Sequence, residues 1–128
     1  MRIVKKNRSV CPITNLLDIV GDKWTLLVIR DLFLGKRRFA EFAESDEKMP
    51  TNILAERLKR MEKLGLLKKN PYQNNPVRFE YFLTEKGKAL ESILREMVRW
   101  GLQYVKGTKT FPRVKSKLRK KGASTKLV

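Results

Sequence analysis

Thr51-Asn-Ile-Leu-Ala-Glu-Arg-Leu-Lys-Arg-Met-Glu-Lys-Leu-Gly-Leu-Leu-Lys-Lys69 decides the fold. Wound at 3.6 residues per turn, it gathers Ile53, Leu54, Leu58, Met61 and Leu64 on one side. Asn52, Ala55, Glu56, Lys59 and Lys63 gather on the other. This is an amphipathic helix to about Leu64, with Pro50 in its first turn and Gly65 as its stop. Leu66 to Asn70 then reads as a strand. Pro71 to Val77 reads as a loop, and Arg78 to Leu83 as a second strand with Phe79, Tyr81 and Leu83 on one face. The two strands make a hairpin.

Upstream, Pro12 to Val20 reads as a short helix broken at Gly21-Asp22. Asp22 suits the cap of the next helix, whose apolar residues Trp24, Leu26 to Ile29 and Leu32 to Leu34 mark it as central and buried. After Gly35 and Lys36-Arg37-Arg38 comes a short amphipathic segment, Phe39 to Ala43, and a polar turn from Glu44 to Met49. Downstream, Thr84 is the expected cap of a last long helix. Its stripe Leu90, Ile93, Leu94, Met97, Val98, Gly101, Leu102 and Val105 is wider than one small core requires. Part of it therefore suits a second copy of the chain, with Gly101 permitting close approach; closure of its own domain is the other reading.

Short helix, turn, longer helix and basic hairpin, in that order, describe a winged helix-turn-helix: mainly α with a small β-hairpin wing, for which the stripe on the last helix favours a dimeric state. A helix fits the major groove of B-form DNA, where base edges are distinguishable, and enters with its N-terminal residues facing the bases. The outward residues Thr51, Asn52, Ala55 and Glu56 are the expected base-facing set, with Lys59 and Lys63 reaching phosphates. Asparagine pairs with adenine through two hydrogen bonds, and glutamate accepts from the cytosine amino group. Arg57, beside the apolar face, suits an intramolecular ion pair. The wing offers Lys68, Lys69, Asn74, Asn75 and Arg78 to the flanking backbone or minor groove. Lys36, Arg37 and Arg38 are candidate phosphate contacts at a helix start, or else a solvated loop.

Composition agrees. The 128 residues, 41% hydrophobic and 34% charged, suit one folded domain. Net charge is +17, which points to a polyanion. Nine Lys/Arg and no acid lie in residues 106–128, and four and no acid in residues 1–8, so residues 9–105 hold only +4. The expected organisation is a basic N-terminal arm (1–8), a DNA-binding and dimerisation domain (9–105) and a basic C-terminal tail (106–128). Arms of this kind bind phosphate without sequence choice. That leaves a second hypothesis, a non-specific nucleic-acid architectural protein driven by its arms.

Absent residue types narrow the chemistry. The chain has no histidine, one cysteine, and neither a GxxxxGK[ST] loop nor a GxGxxG fingerprint. No catalytic set, cofactor or metal site is expected. No apolar run approaches the roughly 18 residues of a membrane span, no secretory signal is visible, and a lone cysteine forms no internal disulfide. A cytoplasmic location without membrane contact is the expectation.

Three stretches, Cys11-Pro12 with Leu17-Asp-Ile-Val-Gly-Asp-Lys-Trp24, Arg38-Phe39, and Leu58 to Leu67 followed by Pro76-Val-Arg-Phe-Glu-Tyr-Phe-Leu-Thr-Glu-Lys-Gly87, together with Trp100-Gly101, resemble HxlR-type winged helix-turn-helix transcription regulators. The likeness covers about residues 9–105. It implies regulation of transcription by a homodimer, built from the first and last helices, on two-fold-related operator DNA. The corresponding interface residues are Leu16, Leu17, Leu94, Met97, Val98, Gly101, Leu102 and Val105. Some members of that family sense oxidants or electrophiles through the cysteine matching Cys11. Here Cys11 has two readings, a small buried residue beside the first helix or a redox sensor with Lys5, Lys6 and Arg8 nearby. Members often carry serine or threonine where this chain has Pro50, and the tail lies outside the likeness. The operator and any small-molecule or oxidant effector are not legible.

Overall fold

A computed structural model describes residues 7–110. Most of the basic N-terminal arm, residues 1–6, and of the basic tail, residues 111–128, lies outside the described residues. Among the described residues, six helices and one hairpin follow the order α1 (Pro12–Val20), α2 (Thr25–Phe33), α3 (Phe39–Ala43), α4 (Thr51–Lys63), β1 (Leu67–Asn74), β2 (Val77–Leu83), α5 (Glu85–Lys88) and α6 (Glu91–Tyr104).

The apolar faces meet in one core. Val28, Ile29 and Leu32 of α2, Phe42 of α3, and Leu54, Leu58 and Met61 of α4 are buried together with Leu66, Leu67, Leu90 and Leu94. Phe42, fully enclosed, meets the Tyr81 ring edge-on at 6.2 Å. The residue at the N-cap of α2 is Trp24, but Asp22, two residues earlier, does serve the helix start: its Oδ2 accepts from the Trp24 and Thr25 amides at 3.0 Å, and its Oδ1 from the Thr25 hydroxyl at 2.6 Å. Pro50 stands just before α4 rather than inside its first turn, in extended backbone. Gly65, at φ +77°, supplies the left-handed residue that stops α4 and turns the chain into β1.

The hairpin is longer than the sequence suggests. β1 continues through Pro71 to Asn74 and β2 begins at Val77, leaving only Asn75 and Pro76 between them; that peptide bond is cis. Pro71 is tolerated because β1 is an edge strand of a two-stranded ribbon, and the register shifts between Pro71 and Gln73. The base of the wing gains a third contact: Arg38 bridges Glu80, and the Tyr81 amide donates to the Arg37 carbonyl at 2.8 Å.

Thr84 does cap a helix, but the short α5. Its hydroxyl accepts from the Gly87 amide at 3.1 Å and donates to the Gly65 carbonyl at 2.6 Å. The Leu90 amide then bonds the Gly87 carbonyl three residues back, which tightens the chain and separates α5 from α6.

Candidate nucleic-acid interface

Helix α4 is divided lengthwise. Leu54, Leu58 and Met61 are enclosed, while Thr51, Asn52, Ala55, Glu56, Lys59 and Lys63 are all exposed along the opposite face. No side chain caps its N-terminus, so the first amides point outward beside Thr51 and Asn52. Lys48, exposed two residues before Pro50, is held at φ +53°. Arg57 forms the ion pair expected of it, from Nε to Asp22 Oδ2 at 2.9 Å, and its guanidinium also pairs with Glu56.

The wing displays Lys68, Lys69, Asn74, Asn75 and Arg78 on exposed backbone. Lys69 also lies 3.5 Å from Glu62 of α4 and over the Phe79 ring, which ties the wing to α4. The basic triplet behaves differently. Lys36 Nζ donates to Ser45 Oγ at 2.9 Å, and Arg37 donates to the Leu32 carbonyl at 2.9 Å, near the end of α2. Arg38 pairs with Glu80 at 2.9 Å and stacks on Tyr72. Glu41 accepts from the Arg37 and Arg38 amides. These cations hold the wing and the helix ends together.

One constellation escaped sequence reading. Asp31, on the largely apolar α2, is 2% exposed. Its carboxylate accepts from Arg30 Nε at 3.0 Å and from Ser45 Oγ at 2.5 Å, and Lys36 Nζ lies 3.7 Å away. Arg30 also holds Glu47 at 2.8 Å. The network fastens α2 to the turn that precedes α4. The signal was an Arg30-Asp31 pair inside a largely apolar helix, with Lys36 and Ser45 polar downstream.

Of the expected interface set, Leu94 is buried in the chain's own core, and Leu16, Val98 and Gly101 are half-buried. Leu17, Met97, Leu102 and Val105 are exposed. Ile13, Trp100 and Tyr104, also exposed, extend the apolar surface of α1 and α6, and the two aromatic rings lie 5.1 Å apart. A Cβ added at Gly101 would meet nothing within 4 Å.

Cys11 is half-buried at the residue before α1. Hydrogen bonds from the backbone and side chain of Thr14, then from the Ile13 backbone, hold its thiol below the ordinary cysteine range. No group of metal-ligating side chains occurs among the described residues, and no helix among them is long and apolar enough to cross a membrane.

Comparison with known proteins converges on one family. The family model described as HxlR-like helix-turn-helix matches residues 19–109. The uncharacterised HTH-type transcriptional regulator MT3179 of Mycobacterium tuberculosis is 39% identical over 89 residues, 70% of this chain. The match covers 56% of that relative, so the chain spans just over half its length. The reduced form of the transcriptional regulator YodB from Bacillus subtilis superposes with a TM-score of 0.62 at 32% identity, over 79% of this chain and 100% of that one. The redox regulator HypR in its reduced form does so with a TM-score of 0.67 at 32% identity, over 73% and 92%. With a winged helix-turn-helix in place and most of the described residues matched, the chain belongs to the HxlR-like family of helix-turn-helix transcriptional regulators.

Proposed function

We propose that this regulator binds a two-fold-related operator as a homodimer, with the N-terminal half of α4 in the major groove and the wing over the flanking backbone. One observation carries the reading: the entire polar face of α4, from Thr51 to Lys63, is uncovered, while its other face is locked in the core. Thr51, Asn52, Ala55 and Glu56 face base edges. Lys59, Lys63, Lys68, Lys69, Asn74, Asn75 and Arg78 follow phosphates, with Lys36, Arg37 and Arg38 supporting the flank. The exposed apolar surface of α1 and α6 is the seam for the second copy. Such a dimer places its half-sites about 10 bp apart or a multiple of that. A DNA-bound regulator acts in the cytoplasm.

The test is a mobility-shift titration on DNA from the neighbourhood of its own gene, with sedimentation to count chains. Asn52→Ala is expected to lose about 1–3 kcal/mol on the preferred site and to relax choice at one base pair. Lys68→Ala weakens all sequences alike and flattens the salt slope. Equal affinity for random competitor, or loss of binding on removing residues 106–128, favours the arm-driven architectural alternative.

A second part of the proposal is an oxidant response through Cys11. The likeness to HypR, itself a redox regulator, and the lowered thiol pKa support it. Unchanged DNA affinity after mild thiol oxidation, or the same change in Cys11→Ser, refutes it.

A further inference from the structure

Close packing fixes which face of α4 is buried, and directional hydrogen bonds fix its final angle more finely than non-directional burial alone. Two arginines behind the reading face are directional. Arg60 donates from one guanidinium nitrogen to the Ile19 carbonyl and from the other to the Asp18 carbonyl, both at 2.9 Å. Those carbonyls lie in the last turn of α1, where intrahelical partners run out. One turn earlier on α4, Arg57 grips Asp22 at 2.9 Å, just past the end of α1. The corner between them is tight: a Cβ at Gly21 would meet the Leu17 carbonyl oxygen at 2.4 Å. Burial alone would raise the Asp22 carboxyl, but hydrogen bonds from Thr25 and Arg57 and from the Trp24 and Thr25 amides hold it well below the usual carboxylate range.

We propose that Arg57 and Arg60 are positioning residues for DNA reading: they clamp the recognition helix to the end of α1 and to Asp22, and so set the angle at which Asn52 and its neighbours meet the bases. The inference rests on the DNA-binding reading of α4. Neither arginine touches a base in this account. Each acts by registering a rigid helix, and base discrimination depends on hydrogen bonds placed to a fraction of an ångström. Arginine suits position 60 because its planar fork presents two nitrogens in fixed geometry to the two carbonyls.

Charge makes the test decisive. Asp22→Asn raises net charge by one, so simple electrostatics tightens every DNA complex. Asparagine remains a good cap, and α2 keeps its start. The clamp instead requires that Asp22→Asn lose about tenfold in affinity for the preferred site while random-sequence DNA is bound as tightly or more tightly. Arg60→Met, which keeps the stem and removes the fork, is expected to lower the specific-to-random ratio about tenfold as well. Thermal unfolding of each variant shows that the protein titrated is folded. A purely stabilising role lowers the melting temperature and leaves the ratio at its wild-type value, and that result overturns the proposal. Should Asp22→Asn fail to fold, the Arg60→Met ratio alone decides. Wild-type protein that shows no preferred site removes the DNA-reading premise instead, before either variant is compared.

Discussion

Replacing Asp31 by alanine removes the carboxylate at the centre of the network beneath the helix-turn-helix. Its side chain is 3% exposed and accepts from Arg30 and Ser45, with Lys36 at 3.7 Å. Breaking one side of a buried pair costs about 3–5 kcal/mol, because the remaining cation is left uncompensated. Here Arg30 retains Glu47. Lys36 is 24% exposed and turns to water. The expected loss therefore sits at the lower end, about 3 kcal/mol. That is a large share of the roughly 5–15 kcal/mol that holds a domain together. With a urea slope of about 1.5 kcal/mol/M, the midpoint falls by about 2 M. The assay is urea unfolding at fixed protein concentration, followed by far-ultraviolet circular dichroism. Ser45→Ala, which removes a single hydroxyl donor, should cost about 1–2 kcal/mol. A midpoint shift under about 0.5 M for Asp31→Ala would show that the carboxylate is dispensable and that apolar contacts alone hold the turn.

Lys48 occupies the left-handed region, where a side chain with an ordinary Cβ is disfavoured by about 1–2 kcal/mol. Asparagine tolerates that conformation, so Lys48→Asn should stabilise by roughly 0.5–1 kcal/mol, read as a higher urea midpoint. An unchanged or lower midpoint contradicts the strain argument. Acid should unfold the protein through its paired carboxylates. Asp22, Glu41 and Glu47 all have folded pKa values below their unfolded ones. The unfolded chain thus binds more protons at low pH, and their contribution, complete above the ordinary carboxylate range, is lost as pH falls through about 4 and below. Asp22→Asn should flatten the acid limb of the stability profile, and an identical limb would remove Asp22 from the account.

The exposed face of α4 was legible because its signal is periodic: apolar residues at helical spacing locate the buried side, and the exposed side follows by subtraction. The corner at Gly21-Asp22 was legible for the same kind of local reason, a breaker followed by a capping residue. The hairpin length was not. Pro71 argues against a strand in sequence, and only the free edge of a two-stranded ribbon excuses it. Nor was the fate of Lys36-Arg37-Arg38. A cationic run beside a helix C-terminus is drawn to unsatisfied carbonyls, as Arg37 is to that of Leu32, but the run alone does not say whether carbonyl or phosphate wins. Asp31 looked like any polar residue, because its partner Ser45, and the Glu47 that holds Arg30 beside it, come from a turn whose folded position no periodicity reports.

Net charge of +17 makes attraction to any DNA nearly unavoidable, and that attraction carries no sequence information. Choice of a site must then come from a few hydrogen bonds at base edges, each worth about 1–3 kcal/mol, and only if they are aligned. A recognition helix held by leucines and methionine alone would tolerate small rotations, which strong phosphate attraction would exploit at every wrong site. The polar fastenings answer that problem from three directions: Arg57 and Arg60 toward α1, Lys69 and Glu62 toward the wing, and the Asp31 network at the turn before α4. Their geometry is directional where the core is not. Selectivity in this regulator is accordingly a property of the residues behind the helix as much as of those in front. The Arg60 fastening ends on α1, the same helix that exposes Ile13 and Leu17, so the proposed dimer seam and the proposed reading face share one rigid element.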